Sequence, residues 1–339
     1  MKKHAAILLL AAIAAASCRQ ARDEKAAPTE AFTTEVRLAA TPVKNQGSST
    51  LCWAYAMLAT IETEHIMMGD SVNLSPDYAA RCLLADEARR CFLSAGKSGI
   101  TLRGTAPQLL RVIAEYGIMP YDSYNAPRLN YNALARRLRL ATATSRTLAA
   151  ADSTVQAMLN ERVGWLPRAV YMLGAEYTPR EFAHSVCMRG EYTALTSFTH
   201  HPFGEEFVLE VPDNRTGELF LNVPIDELMR RIEHSLRTGH PVCWEGDVSE
   251  PGFSFAKGTA VLPAGKPCTQ AARQADFERL RTTDDHCMCL IGIARDRHGR
   301  RFFIAKNSWG TANPYGGMMY LSEDYVRMKT IAVVMKNLF

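Results

Sequence analysis

Residues 41–55 read TPVKNQGSSTLCWAY. The stretch begins polar and turn-rich, with Pro42, Asn45, Gly47, Ser48 and Ser49. Its character changes at Cys52 and Trp53, where Ala54, Met57, Leu58, Ile61, His65 and Met68 begin to recur at helical spacing, up to Gly69. The pattern predicts a helix with a cysteine on its first turn and Gln46 six residues upstream. A helix N-terminus favours negative charge, and the thiolate is the reactive form of cysteine. Alone, such a cysteine is a small buried hydrophobe, so its partners decide the reading.

The partners lie far downstream. HCMCLIGIA (286–294) and RRFFIAKN (300–307) flank the polar segment RDRHGR, a hairpin signal. The midpoint between His286 and Asn307 falls within a residue of the midpoint of the turn Asp296–Gly299. Hairpin pairing therefore sets these two side chains beside each other at the open end. A carboxamide oxygen that accepts one ring N–H fixes the imidazole and leaves its other nitrogen for a nucleophile. On this reading His286 activates Cys52 and Asn307 orients His286. Gln46 and the backbone N–H of Cys52 donate to the oxyanion formed on attack. Trp309 covers the Asn–His contact.

QGSSTLCW, followed by DDHCMCLIGI and KNSWG, resembles the papain-like cysteine peptidases in its Cys…His…Asn order. LSPDY (74–78) extends the likeness, as does Gly104, thirteen residues before Gly117. The resemblance implies a two-lobed α+β fold, with a helical lobe, an antiparallel sheet lobe and the site in the cleft between them. It implies Cys52 as nucleophile, His286 as base and acid, Asn307 as orienter and Gln46 as oxyanion donor. Gly104, Trp53 and Trp309 are expected along the substrate. Ser48-Ser49, TPREF, NVPIDEL and GHPVCWEGDVSE are similar to the bleomycin hydrolase and aminopeptidase C branch. Four departures stand out. Ser49 replaces a disulfide cysteine, Thr50 and Leu51 replace smaller residues before Cys52, Arg103 replaces the first glycine of the family's pair, and the chain stops at AVVMKNLF without that branch's C-terminal arm. Strict exopeptidase action and hexameric assembly therefore do not follow from the likeness.

The 339 residues suffice for two lobes, and a net charge of +4 points to no nucleic-acid partner. The first seventeen residues read as a secretory leader, and Ala15-Ala16-Ser17-Cys18 at its junction resembles a bacterial lipobox with Cys18 lipidated. Ordinary leader cleavage is the rival. The expectation is an exported lipoprotein, anchored to a bacterial membrane through Cys18, with residues 18–40 as a polar tether. Residues 41–126 read as the helical lobe, 127–235 as an inserted mixed region and 236–339 as the β lobe.

Beyond Cys18 and Cys52 seven cysteines remain, an odd number whose connectivity the sequence leaves open. Alternation along a strand splits His286 from Cys287 and Cys289, so these do not converge on a metal; core thiols are the expectation. His200-His201 lacks a matching carboxylate or cysteine spacing, and His298 falls in the turn. No metal or cofactor is expected. The expected function is hydrolysis of peptides or proteins through a thioacyl-enzyme. An acyltransferase using the same residues and an inactive binding module are the alternatives.

Overall fold

The computed structural model describes residues 31–126, 129–172 and 174–338. The leader, Cys18 and the tether's first residues lie outside the described residues. The first lobe is helical. After strand β1 (Phe32–Arg37) come α1 (Cys52–Met67), α2 (Pro76–Leu93), α3 (Ala106–Tyr116), α4 (Tyr131–Thr144) and α5 (Leu148–Arg162). A short hairpin, β2 (Val170–Met172) and β3 (Ala175–Tyr177), leads into α6 (Pro179–Val186). The starts are set by local chemistry. Ser75 caps α2 through the Tyr78 N–H with Pro76 behind it, and Thr178 and Glu181 form a reciprocal capping box on α6. Helix α3 ends at Gly117, whose φ of 83° suits glycine, and a Cβ there would strike the Pro179 backbone.

The second lobe is built on one large sheet. It contains β4 (Tyr192–Thr196), β5 (Glu206–Val208), β6 (Leu219–Asn222), β7 (Val242–Gly246), β8 (Phe253–Ser254) and β9 (Thr259–Ala260). It is completed by β10 (His286–Asp296), β11 (Arg301–Lys306), β12 (Met318–Ser322) and β13 (Thr330–Lys336). Helices α7 (Ile225–Arg237), α8 (Gln270–Glu278) and α9 (Glu323–Lys329) accompany it. The strand order is β5-β6-β4-β13-β7-β10-β11-β12-β9-β8, antiparallel except at β4–β6 and β9–β12. The region read as an insert, 127–235, is shared out: α4 and α5 join the helical core, and β4 to β6 extend the sheet.

Helix α1 lies between the lobes, and twelve of its sixteen residues are buried, which is why it is apolar nearly all round. Its Thr60 hydroxyl meets Cys289 of β10 at 3.4 Å. Its fully buried Glu62 is held by Lys44 at 2.5 Å, by Lys306 at 3.7 Å and by Thr41. Lys306 also donates to Thr41 at 2.6 Å. This clamp ties the third turn of α1 to the segment before the helix and to β11.

The tether reading needs correction at its described end. β1 pairs antiparallel with β10, Phe32 stacks on Tyr320 with centroids 4.0 Å apart, and the Leu38 N–H donates to Ile291 at 2.8 Å. FTTEVR is an edge strand whose polar residues face water while Phe32 and Val36 pack inward. Among the described residues all eight cysteines are free, and no helix is long and apolar enough to cross a membrane.

Candidate active site

Cys52 is the first residue of α1, and no side chain caps that helix. Its first-turn N–H groups have no intrahelical carbonyl to meet and remain available to a ligand oxygen. The Cys52 sulfur touches two side chains of β10. The Cys287 thiol contact does most to lower its pKa; burial opposes this, and the hydrogen bond and charge of His286 add to it. The balance holds Cys52 well below the usual thiol range. Burial, and then the Cys52 contact, push Cys287 well above that range, so Cys287 keeps its proton and donates it. Cys287 is the buried core thiol expected from strand alternation, 3% exposed. Its cross-lobe contact with Cys52 has no local sequence signal.

His286 is 3% exposed, and its Nε2 lies 2.7 Å from Asn307 Oδ1. That oxygen also accepts the backbone N–H of Ser308 at 2.7 Å. A backbone N–H can only donate, so the amide orientation is fixed and His286 must donate from Nε2. Nδ1 is then the ring nitrogen left for chemistry. The register places the pair. A bulge between Leu290 and Gly292 leaves Leu290 opposite Ala305 and Cys289 opposite Lys306. Continuing that register sets Asn307 across from Met288, a diagonal neighbour of His286 on one face. Trp309 covers the contact, its ring centroid 4.4 Å from that of His286, and Phe255 flanks it at 5.5 Å.

Gln46 ties the two lobes together. Its Oε1 accepts from Ser308 Oγ at 2.6 Å, its Nε2 donates to the Ser49 carbonyl at 2.8 Å, and its backbone N–H donates to the Ser308 carbonyl at 2.8 Å. One Nε2 hydrogen remains for an oxyanion.

Trp53, expected along the substrate, is 1% exposed and donates Nε1–H to the Leu102 carbonyl at 2.9 Å. It is a floor under Gly104, not a cleft surface. A Cβ at Gly104 would lie 2.7 Å from the Trp53 ring and collide with Gln108 Oε1, so only glycine lets the loop sit this close. Cys18, the expected lipidation site, lies outside the described residues.

The fold also supplies the carboxylate that His200 and His201 lack in sequence. Glu210 Oε2 is 3.1 Å from His200 Nε2, and Oε1 is 2.6 Å from His201 Nε2. Among the described residues this trio alone brings three such groups within ligating reach of one another. Gln274 accepts the Thr199 N–H and donates Nε2–H to His200 Nδ1. His200 therefore carries its proton on Nε2, facing Glu210, where a metal would need a lone pair.

No family model matches the chain. It is 25% identical to Aminopeptidase G of Lactobacillus delbrueckii subsp. lactis, over 90% of this chain and 83% of that protein. The crystal structure of PepW from Lactobacillus rhamnosis superposes with a TM-score of 0.67 at 18% identity, covering 99% of this chain and 89% of that one. The fold is papain-like. The chain carries Cys52 on the helical lobe and the His286–Asn307 pair on the sheet lobe, with Gln46 bridging them.

Proposed function

We propose that this peptidase cleaves peptide bonds through a thioacyl-enzyme on Cys52. The observation that carries the reading is the thiol held low against Cys287 and His286, with His286 oriented by Asn307 at 2.7 Å. The Cys52 thiolate attacks the scissile carbonyl carbon, and the oxyanion meets the Cys52 backbone N–H and the remaining Gln46 Nε2–H. As the C–N bond breaks, the proton on His286 Nδ1 passes to the leaving amine. Water then attacks the thioester and gives a proton to Nδ1; the C–S bond breaks and the thiolate returns.

The likeness to an aminopeptidase favours substrates bound at their amino-terminal end. The leader and Cys18 support a lipid-anchored, exported peptidase. Digestion of a peptide library by wild type and Cys52→Ala tests the reading. We expect cleavage by the wild type alone, concentrated at amino-terminal bonds. Equal cleavage by the variant would refute it.

A further inference from the structure

Glu245 stands opposite Cys287 in the β7–β10 pairing, two residues from Cys243, which stands opposite Cys289. These positions share the sheet face that meets α1: Cys243 and Cys287 enter the helical-lobe core, which Cys52 packs against, and Cys289 meets Thr60. Glu245 therefore points into the seam beside Cys52. It is 4% exposed, and among the described residues its carboxyl has neither hydrogen bond nor cation. Burial pushes it well above the usual carboxylate range, and the neighbouring charges of Asp284, Asp213 and Cys52, all negative, push it further.

Two of those neighbours are joined. The Asp213 backbone N–H donates to Asp284 Oδ2 at 2.9 Å, and Asp213 pairs with Arg103, the residue before Gly104. Asp284 lies two residues before His286. Three carboxyls from separate segments thus gather near Cys52; Arg103 serves Asp213 and Asp284 but not Glu245. A buried carboxyl without a partner is costly and is completed by a cation.

We propose that Glu245, with Asp213 and Asp284, seats an ammonium group of the peptide substrate, carried within two residues of the bond that Cys52 attacks. The inference rests on the peptidase reading above and names its substrate class. The ammonium is either the free α-amino group of the attacked residue or a nearby lysine side chain. The empty seat keeps its protons, and the arriving cation expels one. Beyond Arg103 lies a cavity of about 610 Å³ whose wall carries Arg103, Arg136, Arg139 and Arg215, so the opposite charge is offered there.

The test compares wild type with Glu245→Gln on three fluorogenic peptide sets. One has a free amino terminus, one is N-acetylated with lysine at either position before the cleaved bond, and one is N-acetylated and neutral. In the wild type, kcat/KM for one cationic set should exceed the neutral set about tenfold or more. In Glu245→Gln that ratio should collapse toward one, whereas a merely structural role would lower both sets and keep the ratio. Glu245→Leu gives a second reading of the same ratio, and each variant's melting curve reports its folding. No cationic preference in the wild type, a preserved ratio in both folded variants, or a preference for acidic peptides would overturn the seat while leaving the peptidase reading intact. Failure to cut any peptide while Cys52 still alkylates would overturn both.

Discussion

Consider Asn307→Ala. The substitution removes the acceptor of both His286 Nε2–H and the Ser308 N–H, at a site where His286 and Asn307 are each 3% exposed. In the catalytic cycle the imidazole becomes charged, and a hydrogen bond to a charged group is worth about 1.5–3 kcal/mol. At 1.36 kcal/mol per factor of ten, kcat/KM should fall about 10- to 150-fold. The loss should sit in kcat, because Asn307 orients the base and does not hold the peptide. Two buried donors also lose their acceptor, which costs about 1–3 kcal/mol of stability each. The assay is steady-state hydrolysis of a fluorogenic peptide, paired with urea unfolding to confirm that the variant is folded under assay conditions. A folded variant with kcat/KM within twofold of wild type would refute the reasoning.

Glu62→Ala should strand Lys44 and the buried Lys306 without their shared carboxylate. Removing one partner of such a cluster costs about 3–5 kcal/mol, read from the urea midpoint at constant slope. Asp213 predicts a pH effect. Burial, and then the charge of Asp284, raise its carboxyl to about 7 against the pull of Arg103. A carboxyl attracts an ammonium only after losing its proton, so the preference for the favoured cationic peptides over neutral ones should rise as pH rises through about 7. The facing groups are Arg103, Asp284, Glu245 and Cys52. Asp213→Asn should flatten that rise, and an unchanged pH profile in the variant would contradict the assignment.

What the sequence revealed was local. The helix beginning at Cys52 follows from periodicity and a glycine stop, and the His286–Asn307 contact from the midpoint of a single turn, because hairpin pairing is set by nearby residues. What it hid depends on distant strands. Glu245 meets Cys287 through the β7–β10 register, and Glu210 reaches His200 and His201 through a folded-back loop, neither of which spacing encodes. FTTEVR looked like tether because an edge strand needs only two inward side chains. Trp53, expected along the substrate, lies in the core instead. One step along a helix turns a side chain about 100° away, and Trp53 faces Leu102 in the core.

The most direct measurement is the rate of Cys52 alkylation by iodoacetamide as a function of pH, followed by peptide mass spectrometry. Cys52 should be modified first, at a rate already on its plateau near pH 7. Cys82, Cys187 and Cys289, with thiols raised to about 12 by burial, should stay unmodified in the folded protein. A Cys52 rate that climbs only through about pH 8.5, as for an ordinary thiol, would contradict the account.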